Sequence, residues 1–279
     1  MAHKSSTGTN RPRPPAHECA RLTSEIRTRN YEGSPVNAFV FAAAPQPTLG
    51  VRGSAARFPV RRIYCIGRNY LAHIREMGEA DERDPPIFFQ KPGDAVVEEG
   101  TALHYPSGTA DYQYEAELVV AIGSAGQDIP AEGALDHVYG YAVGLDMTRR
   151  DLQRALAKAG QPWENGKSFD QSAPCGEIVP VTLCGHPARG ALTLTVNGQP
   201  RQRTDLSQLI WSVPEIIAQL SCLYRLMPGD LIYTGTPDGV GPLQPGDTID
   251  ASIEAVGTFC AKVAARPAKT ATAATTERL

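Results

Sequence analysis

Apolar and polar residues alternate with a period of two along much of the chain, a pattern that is typical of strands. The run LTLTV leads into Asn197-Gly198, which predicts a hairpin because this dipeptide favours a two-residue turn. The segments PGDLIYTGTP and PGDTIDASIEAVGTFCAKV each begin with a Pro-Gly-Asp turn and continue as short strands. The unbroken apolar run from Val119 to Ile122 predicts a buried strand.

Helical periodicity is found in fewer places, namely NYLAHIREMG, RRDLQRALAKAG and SVPEIIAQLSCLY. The third of these has Pro214 near its start, where a helix tolerates proline. Strands therefore dominate, and the pattern predicts a β-rich domain of the α+β class.

The two ends of the chain differ from its body. Residues 1–36 are polar and rich in proline, which predicts a disordered extension. Residues 37–57 are expected to form a small β segment, and residues 58–264 the main domain. The last residues, 265–279, are predicted to be a flexible tail.

Charge and cysteine content exclude several classes of protein. The formal net charge of the 279 residues is -3 and the body has no basic stripe, so nucleic acid and anionic membrane are not expected as partners. No apolar run approaches the roughly 20 residues that span a bilayer, and no signal peptide is recognisable. The six cysteines are far apart and form no CxxC pair. A cytoplasmic protein with free thiols is expected.

Two glutamates interrupt the first buried strand. Glu115 and Glu117 are two residues apart, so both carboxylates would point to one face and repel each other. If this face is buried, one carboxyl could stay protonated, an arginine could bridge the pair, or a divalent cation could bind both. An exposed strand edge, with both side chains in water, would need none of these.

Three further groups could belong to the same site. Asp146 ends an apolar run, where it could face a cavity or cap the following helix, a role for which Asp151 is a rival. His73 and Glu76 share a helical face, either as a water-activating pair or as an ordinary surface pair. The dense charge around them, followed by Pro85-Pro86, would also suit a mobile surface lid. Lys167, beside Gly166, is the third group.

The order of these motifs resembles that of the fumarylacetoacetate hydrolase family. The matching stretches are YCIGRNYLAHIREMG, PIFFQKPGDAVV, YEAELVVAIG, GYAVGLDMTRRDLQ, PWENGKSFDQSAPCG, VNGQPRQ and PGDLIYTGTPDGVG. Within the family, FFQKP, TRRDLQ, SAPCG and IWSVPEIIA are most similar to the bacterial members that cleave fumarylpyruvate in gentisate breakdown.

The resemblance implies a mixed β-roll fold, a homodimer and a bound Mg²⁺ or Mn²⁺ ion. It assigns the metal to three carboxylates, those of Glu115, Glu117 and Asp146. It assigns catalysis to His73, Glu76 and Lys167. Three further residues, Arg150, Gln153 and Thr236, would contact the substrate.

The reaction implied by the resemblance is hydrolysis of a C–C bond in an acylpyruvate, a 2,4-dioxo acid. Fumarylpyruvate would give fumarate and pyruvate, and its distal carboxylate would bind an arginine, with Arg68, Arg75 and Arg83 as candidates. An alternative on the same scaffold is a decarboxylase or tautomerase of oxaloacetate-like 2-oxo acids.

Overall fold

The computed structural model describes residues 39–72 and 84–266. The chain divides into two units, Met1–Pro45 and Gln46–Leu279. In the first unit, the described residues 39–45 form neither strand nor helix. The predicted disorder of residues 1–36 lies outside the described residues, as does nearly all of the predicted tail, so these boundaries stay predictions.

Eighteen short strands are the main regular elements among the described residues of the second unit. In chain order they are β1 (Thr48–Val51), β2 (Ser54–Pro59), β3 (Ile63–Gly67), β4 (Ile87–Lys91), β5 (Val96–Glu98), β6 (Leu103–His104), β7 (Tyr112–Tyr114), β8 (Ala116–Ile122), β9 (Val138–Leu145), β10 (Thr148–Arg149), β11 (Ala173–Cys175), β12 (Val179–Pro180), β13 (Ala191–Val196), β14 (Gln199–Asp205), β15 (Leu231–Tyr233), β16 (Gly241–Pro242), β17 (Thr248–Ile253) and β18 (Gly257–Ala264).

The largest sheet has the strand order β4-β3-β15-β8-β9-β11-β5, and β12 pairs with β9 at its side. Two of its pairings are parallel, β3 with β15 and β5 with β11, whereas β8 and β9 are antiparallel. This mixture of directions is the mixed sheet expected from the family resemblance. Three smaller sheets accompany it, with the orders β1-β2, β10-β7-β16 and β14-β13-β17-β18-β6.

The predicted hairpin is confirmed. Strands β13 and β14 pair in antiparallel fashion around Asn197 and Gly198, whose φ angles of 52° and 73° suit a tight turn between twisted strands. The strands that follow the Pro-Gly-Asp turns are also present, as β15 and as the β17–β18 pair.

Helices are short within the described ranges. They are α1 (Arg150–Lys158), α2 (Val181–Cys184) and α3 (Val213–Leu223), with 3-10 helices at Gly93–Ala95, Ala131–His137, Glu164–Gly166 and Leu206–Gln208. At the start of α3 the Ser212 amide donates to Glu215 Oε2 at 2.9 Å, a bond that helps to fix where the helix begins. In the segment NYLAHIREMG, which the sequence predicts as a helix, Leu71 and Ala72 are helical, and the part from residue 73 onwards lies outside the described residues.

The large sheet separates two apolar cores, and strand β8 contributes to both. Leu118 and Val120 point into the larger core, whereas Val119 and Ala121 point into the smaller one. Glu117 has the same parity as Val119, so its carboxylate lies on the face of the smaller core. The β-rich α+β class predicted from the sequence is confirmed. In the described part of the chain, no helix combines the length and apolarity that a bilayer crossing requires.

Candidate active site

Three carboxylates meet where β8 and β9 lie side by side. Glu115 immediately precedes β8, Glu117 is its second residue, and Asp146 immediately follows β9. Antiparallel pairing sets Ala116 opposite Leu145, and the Asp146 amide donates to the Glu115 carbonyl at 2.8 Å. As a result, one carboxylate oxygen from each of the three acids lies within 4.8 Å of the others. We call these residues the carboxylate triad.

The triad is buried. Glu115, Glu117 and Asp146 expose 4%, 1% and 1% of their surface, which rules out the exposed strand edge left open by the sequence. Asp146 does not cap α1 either, since the residue before that helix is Arg149. Asp151 lies in the first turn of α1, and the structure gives neither acid the capping role considered from the sequence.

Three buried cations surround the triad. Lys167 Nζ lies 2.6 Å from Glu115 Oε2 and 2.9 Å from Asp146 Oδ2. The Arg150 guanidinium donates to Glu115 Oε1, and Lys91 Nζ lies 2.8 Å from Asp146 Oδ1. All three cationic side chains are almost fully buried. The formal charges of these three cations and three carboxylates balance.

Glu117 differs from its neighbours in the triad. Its Oε2 accepts a hydrogen bond of 2.7 Å from the Gly235 amide, and among the described residues it contacts no ammonium or guanidinium group. Burial, together with the charges of Asp146 and Glu115, raises the pKa of Glu117 well above its ordinary value. The like-charge repulsion anticipated from the sequence therefore concentrates on Glu117.

The pKa of Lys167 is set by burial and by neighbouring charges that act in opposite directions. Burial alone would lower the pKa of its ammonium, but the carboxylates of Asp146 and Glu115 outweigh burial and raise it above its ordinary value. Lys167 is therefore a fixed positive charge at neutral pH.

The triad has the properties of a divalent metal site. Its donors are all oxygen, which suits hard cations such as Mg²⁺ and Mn²⁺. Asp146 Oδ1 is buried and accepts no hydrogen bond, since its contact with Lys91 lacks hydrogen-bond geometry. A carboxylate oxygen without a hydrogen bond, close to a Glu117 carboxylate that has no cationic partner among the described residues, offers lone pairs to a cation. These residues fit such an ion.

A cavity of about 240 Å³ opens beside the triad. Its wall combines the triad with residues from the end of β3, from β4, from α1 and from the segments that follow. They are Ile66, Gly67, Arg68, Ile87, Phe89, Arg150, Gln153, Arg154, Ala157, Trp163, Lys167 and Thr236. The cavity thus joins a floor of carboxylates and buried cations to walls of apolar residues and arginines.

The three residues predicted to contact substrate all line this cavity. Arg150 is held by Gln113 Oε1 at 2.9 Å and reaches Gln153 Oε1 at 3.3 Å. The Thr236 hydroxyl donates to the Ala116 carbonyl at 2.9 Å, so it fixes the strand edge as well. Their roles towards substrate stay predictions.

Part of the predicted site lies outside the described residues. This applies to His73 and Glu76, and to two of the arginines considered for the distal carboxylate, Arg75 and Arg83. Arg68 is described and lines the cavity.

Sequence reasoning missed two residues that hold the triad. Lys91 ends β4, and its only signal was a charged residue directly after a strand-like stretch that contains Phe88 and Phe89. The Gly235 amide could not be found from side-chain chemistry, although a glycine between two threonines marks an unusual backbone position. Its φ of +96° is open to glycine and strained for other residues.

Comparisons with known proteins agree with this geometry. The family described as "Fumarylacetoacetate (FAA) hydrolase C-terminal" matches residues 62–264. A fumarylpyruvate hydrolase of Ralstonia sp is 47% identical over 170 residues, which cover 61% of this chain and 88% of that protein. The oxaloacetate tautomerase YcgM of Escherichia coli K12 is 39% identical over 204 residues, which cover 73% and 93%.

Solved structures show the same fold. The fumarylpyruvate hydrolase of Pseudomonas aeruginosa, crystallised in complex with Mn²⁺ and pyruvate, is 52% identical and superimposes with a TM-score of 0.80. The match covers 82% of this chain and all of that one.

Proposed function

The chain belongs to the fumarylacetoacetate hydrolase family, and from this premise we propose that it hydrolyses the C3–C4 bond of an acylpyruvate, with fumarylpyruvate as the substrate. Water and fumarylpyruvate would give fumarate and pyruvate. A relative that is 47% identical carries this activity in its name. The cell would use the reaction in aromatic catabolism, with the site on each protomer of a cytoplasmic homodimer.

The observation that carries the proposal is the buried carboxylate triad, with three cations around it, at the floor of a cavity. When bound there, Mg²⁺ or Mn²⁺ would add two positive charges and attract the carboxylate and 2-oxygen of a 2-oxo acid. The Mn²⁺ and pyruvate in the related structure support this assignment.

The chain's own cations would then act on the substrate. Lys167 presents a fixed charge at the floor, where negative charge accumulates on the pyruvate half as the C–C bond breaks. A positive group already in place stabilises this charge without reorganisation. Arg150, held by Gln113 and Gln153, would orient the same half of the substrate.

Water activation would fall to His73 and Glu76. With its tautomer fixed by the Glu76 carboxylate, the His73 ring would take a proton from water through its other nitrogen. The resulting hydroxide would attack the C4 carbonyl. The C3–C4 electron pair would pass into a pyruvate enolate, whose C3 would take the water-derived proton from His73 to give pyruvate.

The proposal is tested by the absorbance of fumarylpyruvate in three conditions, with Mg²⁺, with excess EDTA and after Mg²⁺ is restored. We expect rapid loss of the absorbance that EDTA stops and Mg²⁺ restores. His73→Ala should lower kcat by about 10²–10⁴-fold, the usual contribution of a general base. His104→Ala is the matched control, because His104 is an exposed histidine that does not line the cavity.

Two results would overturn the proposal. One is consumption of fumarylpyruvate that continues in EDTA, and the other is a His73→Ala variant as active as His104→Ala. The proton transfer assigned to His73 would have to be withdrawn in the second case.

A second candidate is tautomerisation or decarboxylation of oxaloacetate. The observation in its favour is the 39% identity to an oxaloacetate tautomerase. The metal and Lys167 would stabilise the same enolate, but no water attack would be needed. Oxaloacetate as a parallel substrate separates the two. Turnover of oxaloacetate alone, insensitive to His73→Ala, would favour the second candidate.

A further inference from the structure

Helix α1 turns a cationic face towards the cavity. Arg150, Gln153, Arg154 and Ala157 all line the cavity, and their spacing of three, four and seven places them on one side of a helix. Burial decreases along this face, from Arg150 at the triad to Arg154, which is exposed. The face therefore runs from the cavity floor to its mouth.

Arg154 has no partner of its own in the described structure. It makes no ion pair there, although Asp151 is only three residues away in the same helix. The Asp151 carboxylate instead accepts hydrogen bonds from Thr109 Oγ1 and, at 2.9 Å, from the Ala110 amide. The guanidinium at the mouth is thus available to an anion that enters the cavity.

The length of the helix face matches the length of the proposed substrate. Four residues of α-helix rise about 6 Å, so Arg154 lies roughly this far along the axis from Arg150. An extended chain of six C–C bonds of about 1.5 Å each separates the two carboxylates of fumarylpyruvate by roughly 7–8 Å. With the pyruvate half at the floor, its far carboxylate comes to the level of Arg154.

We infer that Arg154 binds the distal carboxylate of the substrate and makes the site prefer dicarboxylic over monocarboxylic acylpyruvates. This assignment rests on the proposed hydrolase function. It adds to that function the group that selects the acyl half, a role for which the sequence indicated only Arg68, Arg75 and Arg83. A guanidinium suits this role because it can bind a carboxylate through two parallel hydrogen bonds.

The test compares two substrates that differ at the far end. Fumarylpyruvate carries the distal carboxylate and acetylpyruvate lacks it. Arg154→Met should raise KM for fumarylpyruvate about tenfold, as expected for a partly exposed charged hydrogen bond, with kcat nearly unchanged. KM for acetylpyruvate should stay within about twofold. Arg154→Lys should recover part of the loss, since it restores the charge without the paired donors.

The control is Lys158→Met, which removes an exposed cation from the last residue of α1 without touching the cavity wall. It should leave KM for both substrates unchanged. Arg68→Met is measured beside it, because Arg68 also lines the cavity.

The outcomes distinguish the role of Arg154 from a role of Arg68 and from the hydrolase function itself. Equal losses on both substrates, or no loss on either, would overturn the role of Arg154. A loss specific to fumarylpyruvate in Arg68→Met but absent from Arg154→Met would transfer the role to Arg68. Failure of the unmodified enzyme to hydrolyse either acylpyruvate would overturn the hydrolase function, and the role of Arg154 with it.

Discussion

Replacing Lys91 by methionine tests how strongly the buried cations stabilise the carboxylate triad. Lys91 Nζ lies 2.8 Å from Asp146 Oδ1 and donates to the Met147 carbonyl at 3.1 Å and to the Lys167 carbonyl. Methionine is flexible, unbranched and uncharged, so Lys91→Met removes these contacts while largely filling the space.

The expected cost follows from these contacts. Breaking a buried ion pair by removing one partner costs about 3–5 kcal/mol. Asp146 keeps Lys167 Nζ at 2.9 Å, so we expect about 3 kcal/mol from the lost pair. The two carbonyls that lose a buried donor add roughly 1–2 kcal/mol. The free energy of unfolding should therefore decrease by about 4–5 kcal/mol.

A double-mutant cycle measures the part that belongs to the ion pair. Urea unfolding is followed by circular dichroism in EDTA for Lys91→Met, Asp146→Asn and the double variant. In the Asp146→Asn background, Lys91→Met should cost only the roughly 1–2 kcal/mol of the carbonyl contacts. Lys158→Met, at an exposed position, should change the free energy of unfolding by no more than about 0.5 kcal/mol.

The stabilising coupling of Lys91 to Asp146 is refuted if Lys91→Met costs less than about 1 kcal/mol. It is also refuted if the cost is the same with and without the Asp146 charge, because the two side chains would then be uncoupled.

Three further predictions concern the backbone, the metal and pH. Gly235→Ala should lower the free energy of unfolding by about 2–4 kcal/mol, because φ of Gly235 is +96° and the new Cβ would lie 2.7 Å from Asn69 Cβ. An unchanged Tm of the variant would contradict this prediction. Glu117→Gln should weaken Mg²⁺ binding in calorimetry by more than the 10–100-fold typical of losing an outer contact, and equal affinity would exclude Glu117 as a ligand. Partial burial would raise the pKa of Asp151, but its hydrogen bonds lower it below the ordinary 3.8. The native protein should therefore be more stable than Asp151→Asn above pH 3.8, and this difference should disappear as pH falls through the lowered pKa. A difference between the two urea midpoints that stays constant from about pH 6 to pH 2 would argue against this role of Asp151.

Local elements of the fold were predictable from the sequence because their causes are local. The turn at Asn197-Gly198 depends on two residues that tolerate positive φ, and α3 on a capping residue and a proline near its start. The order of the strands was not predictable, because it depends on pairings such as β3 with β15 between distant parts of the chain.

The sequence predicted the three acids of the candidate site but not all of the residues that hold them in place. The spacing of Glu115 and Glu117 places both carboxylates on one face, but a period of two cannot distinguish a buried face from an exposed one. The end of an apolar run marked Asp146 as a candidate, the family resemblance assigned it to the metal, and the structure brings it to the other two acids. Lys91 and Gly235 were not predicted, because each contacts the triad from another strand of the sheet and such a contact cannot be predicted from sequence spacing.

The parallel pairing of β3 with β15 affects how the protein forms during synthesis. Leu231 of β15 lies beside Ile63 of β3 and Ala121 of β8, so one late strand inserts between two early ones. The ribosome makes β3, β8 and the triad long before it makes β15 and Gly235. Until then, β3 and β8 each carry an unpaired edge, and Glu117 has no amide to bind. A nascent chain that ends before β15 therefore exposes two unpaired strand edges that could pair with other chains, and chaperones would protect it at this stage.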